Sequence, residues 1–289
     1  MNKGIAILFG FVLIFIVNTE SFGAQSIVAQ PVSVAPVIDG KGTDPVWSKA
    51  ETITTHDNVA DIDVTVKAVY TDNQIFFLVI FTDPDESKEH KPLIWDKALA
   101  IYKTGPERGD CFIFKWSMEP EPANLSVYAD KPYKADIWFW KAGRTDPVGY
   151  ADDKHQILSK TKIPKSVKIL SKSGHVFYLS RRGDLGSSAY EAHIYSEYKG
   201  DTLGRFTNRQ PTGSRADVRA KGQWKHGKWT VEFRRSLNTG HPDDIQFETT
   251  GSYFFGISRY EVAGNKPNPG EHPYDTGDVS EKLTLKFDS

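Results

Sequence analysis

The stretch Val64-Thr-Val-Lys-Ala-Val-Tyr70, Thr71-Asp-Asn-Gln74, Ile75-Phe-Phe-Leu-Val-Ile-Phe81 decides the fold class. In its first part Val64, Val66, Ala68 and Tyr70 alternate with Thr65, Lys67 and Val69, the period-2 pattern of a half-buried strand. Asp72-Asn73 supplies turn chemistry. Ile75 to Phe81 then runs apolar without a break, as a strand covered on both faces does. The pair predicts a hairpin with one strand deep in a core.

Outward from this hairpin the same signals recur. Cys111 to Trp116 reads as another buried strand. Lys168 to Leu170 and His175 to Leu179 flank Ser173-Gly174, and Gln223-Trp224 and Trp229 to Phe233 flank His226-Gly227. On the last of these, Trp229, Val231 and Phe233 share one face, and Thr230, Glu232 and Arg234 the other. Ser252 to Ser258 and Leu283 to Phe287 complete the set. Helical periodicity is nearly absent; Asp136 to Lys141 is read as a short helical turn. Many short strands separated by turn signals predict a mostly β chain, an antiparallel β-sandwich. Glu119 to Lys134 and Arg181 to Arg219 show no regular pattern, and loops of that length are usually functional.

The chain has 289 residues, with 36 basic and 37 acidic side chains. This balance gives no reason to expect a nucleic acid or an acidic polymer as partner. Lys3, the apolar run Ile5 to Val17 and the small residues Ser21 and Gly23 make residues 1–23 a predicted secretory signal peptide. That run is too short for a bilayer, which needs ~20 residues. No later segment qualifies as a membrane span, so the expected product is a soluble, exported, periplasmic domain over residues 24–289. Cys111 is its one cysteine. This rules out an internal disulfide, a CxxCH-attached haem and a four-cysteine iron–sulfur cluster within the chain. GxSxG, HExxH and phosphate-loop patterns are missing, and no histidines stand at metal-ligand spacing.

Two segments carry more information. Pro36-Val-Ile-Asp-Gly-Lys-Gly-Thr-Asp-Pro-Val-Trp47 reads as a structural clasp: a strand end, a turn at Asp39-Gly40, then a buried tryptophan. Asp136-Ile-Trp-Phe-Trp-Lys-Ala-Gly-Arg-Thr-Asp-Pro-Val-Gly-Tyr-Ala-Asp-Asp153 sets Trp138 and Trp140 beside Lys141 and Arg144. An apolar wall next to cations suits a haem macrocycle and its propionates. It equally suits a core segment with solvated ends, and the residues alone leave both readings open.

At these two segments the sequence resembles the γ subunit of ethylbenzene dehydrogenase and its relatives. These are the haem-binding subunits of molybdenum enzymes of the type II dimethyl sulfoxide reductase kind. "PVIDGKGTDPVW" is shared with carbohydrate-binding family 9 modules, whereas "DIWFWKAGRTDPVGYADD" is more specific to the γ subunits. "KGQWKHGKWTVEFRRSLNTG" and "FGISRYEVAGN" also look like that family's later strands. The resemblance implies a sandwich of the family 9 or DOMON type holding one non-covalent haem b. It implies a non-catalytic electron-transfer role beside iron–sulfur and molybdenum subunits, with a soluble cytochrome c as a further partner. The family holds its iron between a methionine and a lysine. Transferred here, Met118 is the one methionine left after signal removal, and Lys266 or His272, in the loop before the last strand, is the opposite ligand; His193 is next in line. Two rival readings stand beside this one. A carbohydrate-binding module would stack sugars on Trp138, Trp140 and Trp224. A docking subunit would have lost its haem.

Overall fold

The computed structural model describes residues 25–57, 61–259 and 283–288. The predicted signal segment 1–23 and both Lys266 and His272 lie outside the described residues. The predicted hairpin is present. With β1 at Gln25–Pro31 and β2 at Thr52–Asp57, it forms β3 (Ile62–Tyr70) and β4 (Gln74–Thr82), paired antiparallel from Val64↔Phe81 to Tyr70↔Ile75. The unbroken apolar run of β4 has a direct cause. Ile75, Phe77, Val79 and Phe81 point into the main core, while Phe76 and Leu78 point outward beneath Trp47. Neither face meets water, so alternation has no driving force.

The remaining strands extend this pair into two facing sheets. They are β5 (Leu93–Asp96), β6 (Ile101–Thr104), β7 (Cys111–Ser117), β8 (Tyr133–Lys141), β9 (Asp152–Ser159), β10 (Val167–Leu170) and β11 (Val176–Gly183). There follow β12 (Tyr190–Ala192), β13 (Thr202–Leu203), β14 (Phe206–Asn208), β15 (Arg219–Trp224), β16 (Lys228–Ser236), β17 (Ser252–Arg259) and β18 (Leu283–Phe287). One sheet runs β10-β11-β9-β8-β7-β17-β18-β1 and the other β1-β3-β4-β16-β15, with β2 added on β3. Strand β1 belongs to both. Gln25 to Ala29 pair with β18, and Gln30 and Pro31 pair with β3, so the two sheets are joined along that side.

Aromatic rings fill the space between the sheets. Phe77 of β4 lies 4.9 Å from Phe114 and 5.4 Å from Trp116 of β7, and Trp140 of β8 meets Trp229 of β16 edge-on at 4.8 Å. Such contacts add ~0.5–1.5 kcal/mol each beyond area burial.

Both outer faces are covered as well. The segment Pro36–Trp47 clasps the β3/β4 sheet. Trp47 Nε1 donates to Glu232 Oε1 at 2.9 Å, and the backbone N–H groups of Asp39 and Gly40 donate to Glu232 Oε2 at 3.1 and 2.7 Å. Glu232 is therefore buried, although it lies on the polar face of its strand. On the other sheet, the patternless stretch after β7 folds back over the outer face. Leu125, Val127 and Ala129 cover Ile113, Tyr133, Ala135 and Ile137. Lys115 Nζ and Tyr133 Oη both donate to Leu125 O, at 3.0 and 2.8 Å, and pin the loop.

Two sequence expectations are corrected here. Asp136 to Lys141 is the second half of strand β8, not a helical turn. Arg181 to Arg219 is more regular than its sequence suggested. It contributes the end of β11, the ribbon β12/β14, strand β13 on a small β13-β5-β6 sheet, and a 3₁₀ turn at Gly213–Ala216. Those strands are two or three residues long, too short for a period to show.

Candidate functional site

Strand alternation separates the four residues of the Trp-rich segment. Trp138 and Trp140 point inward and are fully buried in the inter-sheet core. Trp140 Nε1 donates to Asp146 Oδ1 at 2.9 Å, and the Arg235 guanidinium lies 4.8 Å from the Trp138 ring centroid. Lys141, an odd number of residues away, points to the opposite face. There its Nζ is 2.5 Å from Asp152 Oδ2 and 3.0 Å from Tyr190 Oη, and Arg215 Nε reaches Asp152 Oδ1 at 2.8 Å. Burial pulls the Lys141 pKa down to about 8 against the opposing pull of Asp152. Burial works to raise Asp152, but Lys141 and Arg215 together hold it below the usual carboxylate range. Arg144 lies over the rings of Tyr190 and Phe206, 5.4 Å from each centroid. Lys141 and Arg144 thus share one cluster, away from the two indoles.

Met118 is placed differently. It follows β7 directly, its backbone N–H donates to Lys134 O at 3.0 Å, and its side chain lines an apolar cavity of about 290 Å³. Lys134, His155, Ile157, Pro242 and Asp243 line the same cavity. Register explains the grouping. Lys134 pairs with Ile157 and Asp136 with His155, so these residues share the inward face of β8 and β9 beyond the reach of the opposite sheet. The segment carrying Pro242 and Asp243 closes the space from the far side.

His155 is the residue that the sequence did not single out. Its Nδ1 is 2.6 Å from Asp184 Oδ1, a contact that fixes the tautomer and leaves Nε2 as the available nitrogen. A carboxylate behind a donor imidazole is the usual support for a metal-binding histidine. Met118 and His155 stand on one face, two strand spacings (~10 Å) apart and two residues along. This thioether and imidazole are a donor set that haem iron accepts. His193 sits elsewhere, with its Nε2 against Thr207 Oγ1 by the β12/β14 ribbon.

A family model described as ethylbenzene dehydrogenase matches residues 44–266, well over half of the chain. The chain belongs to the ethylbenzene dehydrogenase family. That match spans the clasp from Asp44, the Trp-rich strand β8, and both donors at the cavity. No curated protein sequence matches this member of the family significantly. Among solved structures it is similar to a family 9 carbohydrate-binding module from Caldicellulosiruptor kristjanssonii in complex with glucose. The identity is 12% and the TM-score 0.41, over 92% of this chain and 96% of that one. The same organism's module in complex with cellotriose gives 13% identity and a TM-score of 0.39, over 92% and 95%. No helix among the described residues is long and apolar enough to cross a membrane.

Proposed function

We propose that this member of the ethylbenzene dehydrogenase family is an exported subunit that binds one haem b non-covalently and relays electrons within an oxidoreductase complex. The observation that carries the proposal is the apolar cavity at the end of the sandwich, where Met118 and the Asp184-supported His155 face the same space. Haem bound there would supply a one-electron carrier, and a thioether ligand with an apolar surround raises its potential. The chain's own contribution is to hold the donors, exclude water and present a cation. Lys134, exposed at the cavity, is suited to a propionate.

Met118 is assigned as one iron ligand. His155 is the first candidate for the other, with Lys266 and His272 the competing donors from the loop before β18. The partners proposed are iron–sulfur and molybdenum subunits, with a soluble cytochrome c as electron acceptor or donor. Sugar binding finds less support. Trp138 and Trp140 are closed off in the core, and Trp224 is half-buried with its Nε1 donating to Asp83 O at 2.9 Å.

The test is spectroscopic. Protein exported from a haem-supplied host should give a b-type pyridine haemochrome at one haem per chain. Met118→Ala should convert a low-spin spectrum to a high-spin or water-bound one while far-UV dichroism is unchanged. Parallel His155→Ala, Lys266→Ala and His272→Ala variants identify the second ligand. Absence of haem from the wild-type protein would favour a haem-less docking subunit, and a wild-type spectrum in all four variants would refute the ligand assignment.

A further inference from the structure

Next to the cavity, four buried carboxylates converge from separate segments: Asp136 of β8, Asp153 of β9, Asp184 just after β11, and Asp244 between β16 and β17. One oxygen from each of Asp136, Asp153 and Asp244 can be chosen so that all three lie within 4.8 Å of one another. Part of this group is well supplied with donors. Asp136 Oδ2 accepts from Arg235 Nη1 at 2.6 Å, Ile245 N at 3.1 Å and Trp138 Nε1 at 3.3 Å. Asp153 Oδ1 accepts from Lys154 N at 3.1 Å.

The other oxygens receive nothing. Asp136 Oδ1, Asp153 Oδ2, Asp184 Oδ2 and both oxygens of Asp244 are buried without a hydrogen-bond partner among the described residues. His241 Nδ1 is 4.0 Å from Asp244 Oδ2, because Asp217 holds it at 2.6 Å. Buried side-chain oxygens rarely go unpaired, and an uncompensated buried carboxylate is costly. Arg235 is the permanent cation that donates to these four acids among the described residues; Trp138 Nε1, Ile245 N and Lys154 N are neutral, and His155 reaches Asp184 alone. Each shared proton bridges two oxygens, whereas four unpartnered oxygens belong to the three acids that converge, Asp136, Asp153 and Asp244. A divalent cation can take several at once. An all-oxygen donor set selects a hard ion rather than zinc or copper. Neither Asp244 oxygen has a close hydrogen-bond partner among the described residues, with Thr239 and Asp217 beside it, and bidentate carboxylates suit calcium better than octahedral, water-retaining magnesium.

We infer that Asp136, Asp153 and Asp244 bind one calcium ion inside the sandwich. The ion ties β8 and β9 to the segment that closes the Met118 cavity, since Pro242 and Asp243 line that cavity next to Asp244. Asp184 joins the site electrostatically and passes its order to His155 through the 2.6 Å contact. The site stands without the haem assignment, so either can fail alone.

The experiment uses the full mature chain, stripped with EGTA and returned to 1 mM calcium chloride. Elemental analysis after gel filtration should find one calcium per chain. The thermal midpoint should rise by about 5 °C, the scale expected of a ligand at roughly a hundred times its dissociation constant. Magnesium at the same concentration should leave the midpoint in place. Terbium should luminesce on excitation of the tryptophans, Trp138 lying 3.3 Å from Asp136, and be displaced by calcium, a readout on wild-type protein that needs no variant. The double variant Asp153→Asn with Asp244→Asn should lose the calcium response. No bound calcium together with no terbium signal would overturn the inference. So would an equal response to magnesium, or an undiminished calcium shift in the double variant.

Discussion

Lys141 shows how one side chain can fit two roles from sequence and only one from its surroundings. Its ammonium is 2.5 Å from Asp152, both groups are buried, and Arg215 completes the carboxylate's coordination. A cation so engaged is not free to meet a propionate at the Met118 cavity. Removing Lys141 leaves the buried Asp152 with Arg215 as its remaining cation, so the cost falls below the ~3–5 kcal/mol of a fully uncompensated buried charge. Lys141→Met is therefore expected to lower the unfolding free energy, read from the urea midpoint and slope, by ~1–3 kcal/mol. The pair Lys141→Met with Asp152→Asn should recover most of the loss, because Arg215 is partly exposed and tolerates losing its partner. Equilibrium urea unfolding checks both, and a milder loss in the single variant than in the pair would contradict the assignment. At this scale the site was half legible. Met118 stands out as the one methionine besides Met1. His155 does not, because its standing comes from Asp136 across the β8/β9 ladder and from Asp184, 29 positions along the chain.

At the scale of elements, strands with one wet face were legible, and strands with none were ambiguous. β16 alternates, and its inward set Trp229, Val231 and Phe233 is the set buried in the core. β8 carries Trp138 and Trp140 inward and Ile137 and Phe139 outward under the returning loop, so its sequence shows no period and does not separate a strand from a helical turn. The loop that covers it had no pattern either, since its burial follows from the sheet it lies on. The clasp was legible because its turn chemistry is local. Gly40 sits at φ +81°, and a Cβ there would fall 2.7 Å from the backbone carbon of Gly222. Alanine at a left-handed position costs more than the ~0.4–1 kcal/mol that it contributes elsewhere, and here it also meets backbone. Gly40→Ala should therefore loosen the two N–H bonds to Glu232 and destabilise the protein by more than about 1 kcal/mol. Hydrogen exchange should quicken at residues 39–47 first, while the amides of β7 and β8 stay protected. Uniform loss of protection in both sheets would show that the clasp is not a separate unit.

For the whole molecule, the interior holds ionisable groups displaced in opposite directions, and stability against pH is their sum. Asp244 is pushed up to about 8 and Asp184 to about 6, chiefly by burial, so without a bound cation both favour the acid side. His90 opposes them. Burial, followed by the charge of Arg144, holds its pKa near 2, against 6.5 when free. Its Nδ1 accepts from Gly109 N at 3.3 Å, which needs the neutral ring. Below about pH 6.5 the unfolded chain takes up a proton at His90 that the folded chain refuses, so this residue's contribution falls as pH falls. The ceiling is ~1.4 kcal/mol per pH unit, and partial solvent exposure of the ring reduces it. Between pH 6.5 and 4.5 the loss from this one group should be roughly 1–2 kcal/mol. His90→Gln keeps an acceptor for Gly109 and cannot titrate. The difference in unfolding free energy between wild type and His90→Gln should therefore be constant above pH 7. It should shrink or reverse in favour of the variant towards pH 4.5. Taking the difference removes the carboxylates, which are common to both proteins. A difference flat from pH 7 to 4.5 would mean that His90 protonates as readily in the fold as out of it.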